Sequence, residues 1–344
     1  MKTVISIVAP SSVVPAAELA LGASSLVAEG FDVRVDRQCR RKAFIFAGTH
    51  QERAEALLNR VYDSESDIIW SARGGYGSNH LLKILDLETR RRGKPRKSKL
   101  LVGSSDATSL LEFARTRWGF SALHAPMPGL RSFLLVSAAE RQALLEWVRG
   151  QKPSRPWGAV RRLKWFGSKP GRPIRGEVVG GNLTVWNTML GTSVQPQLKK
   201  GGPKILFLED VTETLSRLDR SARHLIDARG LEGVSAIVLG NFLSCNDAVP
   251  SALARVPQRW TARELRNPPK AWLAPLRKHY SQLAGLHEIF GALSEETGIP
   301  VAYGLPTGHG PEHFALPLGA EARLATDGSF SIERWKWTER HSGL

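Results

Sequence analysis

The first half of the chain alternates short apolar runs with longer stretches of helical character. The pattern predicts strands over residues 3–9, 31–35 and 67–70 and helices over residues 16–29 and 50–62. Gly30 ends the first helix, and Thr49 is a good N-cap for the second. Strands that alternate with helices predict a mostly parallel sheet covered by helices, with ligands at the carboxyl ends of the strands.

A sharp strand-to-helix turn is predicted in the run VGSSDATSLLE. The apolar residues 100–102 lead into residues 106–111, which have the composition of a helix start, so Ser105 lies at the apex. Gly103 and Ala107 flank it two residues away on either side, where a strained elbow needs small side chains. Such an elbow lifts a hydroxyl above the sheet and makes Ser105 a candidate nucleophile. A helix cap is the alternative role for the same serine.

The second half also has an αβ pattern, with apolar strands predicted at residues 205–208, 235–239 and 299–303. A stretch rich in Pro, Gly, Arg and Trp precedes it, and a segment with several Pro and Trp residues interrupts it. With 344 residues, about two domains are expected. We therefore predict an α/β fold with an N-terminal domain that carries the elbow and a second, smaller α/β domain. The predicted boundaries are residues 1–150, a linker at 151–173, and 174–344 with an insertion around 244–284.

The composition is that of an ordinary globular protein. The chain is 42% hydrophobic and 23% charged, and it has no apolar run near the roughly 20 residues of a membrane span. The apolar stretch before Pro10 is too short for a signal peptide, so we expect a cytoplasmic protein with no membrane partner. Cys39 and Cys245 form no CxxC pair, and the nine histidines form no HExxH, so no disulfide or metal site is predicted.

The net charge of +16 indicates an affinity for anions. Seven Lys or Arg residues lie within residues 90–99 alone. Nucleic acid, an acidic membrane or a substrate with several carboxylates would each be attracted. A solvated basic face explains the same charge without any partner.

Eight short segments, spread over nearly the whole chain, occur in the order found in one enzyme family. They are IVAPSS (7–12), FAGTHQERAEAL (46–57), ARGGYG (72–77), VGSSDATSL (102–110), LHAPM (123–127), GGNLTVWNTMLGT (180–192), LEDV (208–211) and GLPTGHG (304–310). Together they resemble the LD-carboxypeptidase A family of serine peptidases, which includes the microcin C immunity proteins.

The resemblance implies a Ser-Glu-His triad at Ser105, Glu209 and His309. A serine hydroxyl is a poor nucleophile until an imidazole takes its proton, and the imidazole needs a carboxylate to fix its tautomer. Without the resemblance, Glu209 would be an ordinary charge at a helix start and His309 an ordinary loop histidine.

The ARGGYG turn is a candidate for the remaining parts of the site. Its consecutive glycines allow backbone N–H groups to approach a developing oxyanion, and the resemblance assigns that role to Gly75 and Asp106. An ordinary tight turn is the alternative. Arg73, Gly74 and Tyr76 are the candidate substrate-binding residues, with Arg73 suited to a terminal carboxylate or, equally, to bracing the turn.

One position departs from the family. An aromatic residue usually precedes the nucleophile, whereas this chain has Ser104. The spacing from Gly103 and Asp106 favours Ser105 over Ser104 as the attacking group. Loss of the aromatic side chain would change the shape of the pocket and thereby the substrate preference.

Family membership implies hydrolysis of the amide bond before a C-terminal D-residue, typically D-alanine of murein tetrapeptide, during cytoplasmic peptidoglycan recycling. It also implies a homodimer, a small peptide substrate and no cofactor. A non-catalytic nucleic-acid-binding protein would account for the charge, but the intact Ser, Glu and His argue against it.

An immunity-type amidase that cleaves a peptidyl or aminoacyl nucleotide antibiotic is the alternative within the family. Aromatic side chains in the irregular segments would then stack on the nucleobase. The candidates are Trp157, Trp165, Phe166, Trp260 and Trp272. Packing between domains is the alternative role for these rings.

Overall fold

The computed structural model describes residues 2–157, 162–246 and 282–341. Its first half has the predicted alternation. The strands are β1 (Val4–Val8), β2 (Asp32–Val35), β3 (Ile68–Ser71), β4 (Leu100–Gly103) and β5 (Ser121–His124); the helices are α1 (Ala16–Ala28), α2 (His50–Tyr62), α3 (Asn79–Arg92), α4 (Thr108–Phe113), α5 (Arg131–Leu134) and α6 (Ala138–Val148).

The second half carries longer strands and fewer helices. The strands are β6 (Lys164–Phe166), β7 (Ile174–Asn182), β8 (Lys204–Val211), β9 (Val234–Leu243), β10 (Val301–Tyr303), β11 (Leu316–Leu318), β12 (Glu321–Leu324) and β13 (Phe330–Arg334); the helices are α7 (Leu183–Met189), α8 (Leu215–Asp227), α9 (Gln282–Thr297) and α10 (Lys336–His341).

Two sheets organise these elements. The first has the order β11-β5-β4-β3-β1-β2, and the second has the order β13-β12-β7-β8-β9-β10-β6. Strands β1 to β5 pair in parallel, as do β7 to β10. The predicted α/β fold class is therefore confirmed, with a parallel sheet in the first half and a second sheet after it.

The predicted elements of both halves occur within a few residues of their expected bounds. Thr49 caps α2, and it forms a reciprocal capping box with Glu52. Strands β5, β6, β7, β11, β12 and β13 were not predicted. β6 lies in the stretch predicted as a linker and pairs with β10, and β11 leaves the second half to pair with β5. Most of the predicted insertion at 244–284 lies outside the described residues.

Ion pairs buried between the halves help to join them. Arg115, just after α4, binds both carboxylate oxygens of Glu112 at 2.9 and 3.0 Å and also pairs with Glu177 of β7. Glu177 in turn accepts from Lys204 of β8 at 2.7 Å. Because Glu112 and Lys204 are buried, each charge would be destabilising without its ion-pair partner.

No helix in the described part of the chain has the length and apolarity to cross a membrane.

Candidate active site

Ser105 lies at a strained turn directly after β4. Its φ of +57° is in the left-handed region, which non-glycine residues rarely adopt. A Cβ on Gly103 would lie 2.8 Å from the Cβ of Ala107, so the elbow needs small residues at both flanks. The following 3-10 turn, Ser105–Ala107, and α4 both lack a side-chain cap. The capping role considered for Ser105 is thus not what the structure shows.

Ser104 has a different environment from its neighbour. Its backbone is extended, with φ −155°, and only 3% of its surface is exposed. Ser105 is more exposed than Ser104, and both residues line the cavity described below. The strained conformation distinguishes Ser105.

The ARGGYG turn packs directly on this elbow. A Cβ added to Gly74 would lie 2.9 Å from Ser105 Cβ, 3.2 Å from its Oγ and 3.4 Å from the backbone N of Asp106. The Asp106 carboxylate accepts hydrogen bonds from the N–H groups of Gly77 and Ser78, at 3.2 and 2.8 Å. The turn and the elbow therefore form one hydrogen-bonded unit.

Gly75 and Tyr76 complete the turn. Gly75 has φ +98°, and a Cβ there would meet Ser12 Oγ at 2.4 Å, so only glycine fits. The Tyr76 N–H donates to that same Ser12 hydroxyl at 3.0 Å. The Tyr76 ring packs near Phe46 and His80, with centroids 5.8 and 5.6 Å away, and it does not line the cavity beside Ser105.

Glu209 and His309 are directly hydrogen-bonded, although they are 100 positions apart in the chain. His309 Nδ1 lies 2.7 Å from Glu209 Oε2, and the backbone N–H of His309 donates to the same oxygen at 3.1 Å. Glu209 is completely buried, whereas the His309 side chain is 29% exposed. The carboxylate thus binds one ring nitrogen, and part of the imidazole remains accessible.

Local backbone features explain this pairing. Glu209 lies near the end of β8, where the register with β9 shifts between Leu208 and Asp210, and such irregularities re-aim side chains. Gly308 has φ +101°, and a Cβ there would lie 2.7 Å from Glu209 Cβ and 2.8 Å from Oε2. Glycine at this position lets the loop close on the carboxylate.

Each partner shifts the ionisation of the other. Burial alone would raise the pKa of Glu209, but the charge of His309 and hydrogen bonds from histidine hold it well below its ordinary value. Burial would lower the pKa of His309, but the Glu209 charge and hydrogen bond raise it above its ordinary value. A carboxylate that stays ionised therefore favours the protonated imidazole.

Arg73 extends from the same turn to the cavity wall. Its Nη1 donates to the Val13 carbonyl at 2.9 Å, which braces the chain. Its Nε is buried and has no hydrogen-bond partner among the described residues. Arg73 therefore combines a structural contact with an unused donor.

A cavity of about 530 Å³ brings these groups together. Arg73, Gly74, Gly75, Ser105 and His309 form its polar side; Met127, Leu130, Leu135, Val136 and Leu243 form its apolar side. No hydrogen bond joins the Ser105 hydroxyl to His309 within the described residues, and contacts of this kind often tighten only when a substrate binds. The cavity has the size and mixed polarity of a small-ligand site.

Three residues near the site were not singled out from the sequence. His124 ends β5 and is buried close to Glu209, His313 lies beside it, and Glu140 of α6 accepts from the His313 N–H at 2.6 Å. The position of His124 in LHAPM, at the end of a parallel strand, was the signal that could have identified it. His313 and Glu140 lie in unremarkable surroundings in the sequence.

The aromatic residues considered for nucleobase stacking have packing roles where the structure describes them. Trp157 is buried, stacks on Phe330 and donates to its carbonyl at 3.1 Å. Phe166 is buried and stacks on Tyr303 with centroids 4.0 Å apart, while Trp165 packs against the core. Trp260 and Trp272 lie outside the described residues.

Comparison with known proteins places both halves in one family. Residues 5–125 match the LD-carboxypeptidase N-terminal domain, and residues 175–324 match the LD-carboxypeptidase C-terminal domain. The chain is 28% identical over 331 residues to the murein tetrapeptide carboxypeptidase of Pseudomonas aeruginosa, with 93% of this chain and 92% of that protein covered.

Solved structures of related proteins have a similar fold. The muramoyltetrapeptide carboxypeptidase of Oxalobacter formigenes superposes with a TM-score of 0.65 and 26% identity, covering 95% of this chain and 97% of that one. The microcin C7 self immunity protein MccF in complex with aspartyl sulfamoyl adenosine superposes with a TM-score of 0.72 and 21% identity, covering 97% of both chains. The second similarity concerns the fold alone.

Proposed function

Because the chain belongs to the LD-carboxypeptidase family, we propose that it is a serine carboxypeptidase that hydrolyses the amide bond before a C-terminal D-residue. The proposed substrate is a murein tetrapeptide, and the proposed product is D-alanine. The observation that carries the proposal is the buried Glu209 carboxylate bonded to His309 at the rim of the cavity that Ser105 lines. This arrangement supports acyl transfer through a serine nucleophile.

In the proposed mechanism, Ser105 Oγ attacks the scissile carbonyl while His309 Nε2 takes the hydroxyl proton. Glu209 keeps the Nδ1–H tautomer of His309 and stabilises the imidazolium that forms. When the tetrahedral intermediate collapses, His309 gives its proton to the leaving amine of the D-residue, and the acyl group stays on Ser105. Water, activated by His309, then hydrolyses the ester and restores the enzyme.

In this proposal, the ARGGYG turn stabilises the negative charge that develops during the reaction. The backbone N–H groups of Gly75 and Asp106 are the proposed oxyanion hole, supported by the close approach of the turn to Ser105. The position of Arg73 in the cavity wall supports this side chain as the proposed anchor for the terminal carboxylate. Gly74 and Tyr76 stay proposed substrate contacts, with Gly74 at the cavity wall and Tyr76 outside it.

The immunity-type amidase is the second candidate. Its support is the fold similarity to MccF, whose structure contains aspartyl sulfamoyl adenosine. The described aromatic residues give little support for nucleobase stacking, since Trp157 and Phe166 are buried in packing contacts. The Ser105, Glu209 and His309 chemistry would be the same in both reactions, so the substrate decides between them.

The basic run within residues 90–99 gives little support to a nucleic-acid site. Five of the seven basic residues within 90–99 already have partners: Arg90, Arg91, Arg92 and Lys97 form ion pairs, and Lys99 binds two backbone carbonyls. Paired charges are less available to phosphates. The proposal also includes a homodimer and a role in cytoplasmic murein recycling, both implied by family membership.

A substrate panel tests the proposed function. Purified protein is incubated with murein tripeptide, tetrapeptide, pentapeptide and an aminoacyl sulfamoyl adenosine, and the products are identified by mass spectrometry. We expect loss of one alanine from the tetrapeptide alone, with or without EDTA. Cleavage of the sulfamoyl adenosine with an intact tetrapeptide would favour the amidase, and cleavage of neither would contradict both.

A further inference from the structure

His124 links the two sheets beside the proposed catalytic residues. It is the last residue of β5, it is completely buried, and its backbone lies in register with Gly103 at the start of the serine elbow. Its ring leaves the first sheet and packs edge-on against Phe207 of β8, with centroids 5.2 Å apart. The side chain therefore reaches the strand that carries Glu209.

Two unpartnered polar atoms face each other at this point. His124 Nε2 lies 3.8 Å from Glu209 Oε1, and neither atom has a hydrogen-bond partner among the described residues. The other carboxylate oxygen, Oε2, accepts both hydrogen bonds from His309. A gap of 3.8 Å is longer than a hydrogen bond, and closing it by about 1 Å would satisfy both buried atoms.

We propose that His124 is a positioning residue for Glu209, donating Nε2–H from a neutral imidazole to Oε1 so that Oε2 remains on His309. A carboxylate held at only one oxygen can rotate about its Cγ–Cδ bond, whereas one held at both cannot. The expected effect of His124 on kcat rests on the proposed function, whereas the proposed hydrogen bond does not depend on it.

The proposed hydrogen bond requires a neutral His124. His313 packs against it with ring centroids 5.3 Å apart, and burial lowers the pKa of His313 well below its ordinary value. A charged His124 would also compete with His309 for the same carboxylate, which would weaken the imidazolium stabilisation that the mechanism needs. A neutral donor orients Glu209 and leaves its charge to His309.

Two substitutions separate positioning from packing. His124→Gln keeps an N–H donor, whereas His124→Leu keeps bulk and removes the donor. We expect His124→Leu to lower kcat about tenfold to hundredfold, with KM within about twofold because His124 does not line the cavity. His124→Gln should retain kcat within about threefold. The exposed His224→Leu on α8 is the matched control and should leave both constants unchanged.

Nitrogen NMR of the wild-type imidazoles tests the same claim without a substrate or a variant. We expect His124 at pH 7 to carry its proton on Nε2 and to have a bare Nδ1. An Nδ1–H tautomer or an imidazolium at His124 would overturn the proposal, as would a folded His124→Leu protein with wild-type kcat. If the wild type cleaves no peptide but shows the Nε2–H tautomer, the proposed function fails and the positioning role stands.

Discussion

One carboxylate oxygen of Glu209 accepts two hydrogen bonds from His309. Oε2 accepts from both the ring Nδ1 and the backbone N–H of the histidine. The first bond fixes the tautomer of the ring, and the second fixes the loop that carries it. The relationship holds together a residue in β8 and a residue 100 positions later in the chain.

Replacing Glu209 with Gln should lower kcat by about 10²-fold to 10⁴-fold, since the amide cannot stabilise the imidazolium and can select the wrong tautomer. Steady-state kinetics on murein tetrapeptide measure the effect. Glu213→Gln, just after β8 and paired with Arg217 outside the cavity, is the control. Equal activity of the two variants would contradict the role of Glu209.

Gly308→Ala tests the close contact between the histidine loop and the carboxylate. The new Cβ would overlap Glu209 Cβ and Oε2, so we expect kcat to fall about tenfold to hundredfold. Gly304→Ala is a matched control because Gly304 has nearly the same backbone, φ +99° against +101°, but open space around its Cβ position. If both variants lose the same activity, backbone strain rather than displacement of Glu209 is the cause.

Gly74→Ala should obstruct the proposed nucleophile. An added methyl group would lie 2.9 Å from Ser105 Cβ and 3.2 Å from Oγ, without unfavourable backbone strain at residue 74. We expect a loss of kcat of at least about tenfold with little change in thermal stability. Gly171→Ala, at a site with open space, should behave like wild type. Full activity of Gly74→Ala would place the reacting atom elsewhere.

Much of the fold and part of the site could be predicted from the sequence. Strands β1 to β4 and β8 to β10 follow from their apolar runs, and α2 follows from periodicity and from the Thr49 cap, because these signals are local. Strands β6 and β11 could not be predicted: each is three residues long, and each pairs with a strand that is distant along the chain. His124 was quoted as part of a motif, but its proximity to Glu209 depends on how the two sheets meet.

The pH dependence of kcat/KM should report the raised pKa of His309. The base must be unprotonated to accept the serine proton, so a pKa above the ordinary value of about 6.5 moves the ascending limb to higher pH. We expect its midpoint above 6.5 in wild type and at lower pH in Glu209→Gln, which lacks the charge that raises it. A limb at or below about 6.5 in wild type would contradict the coupling.

Arg115→Met should destabilise the folded protein by about 3 kcal/mol, because it leaves the buried Glu112 and its neighbour Glu177 without their shared cation. Urea denaturation followed by circular dichroism measures the change. Arg334→Met removes an arginine from an exposed pair with Glu321 and should have little effect. Similar stability of the two variants would show that the ion pairs between the halves contribute little.

The most direct test of the central claim compares Ser104→Ala with Ser105→Ala on murein tetrapeptide, with alanine release followed by mass spectrometry. The two serines are adjacent, but only Ser105 has the strained left-handed backbone at the elbow. We predict that Ser104→Ala releases alanine and that Ser105→Ala releases none. Release of alanine by Ser105→Ala at the wild-type rate would contradict the account.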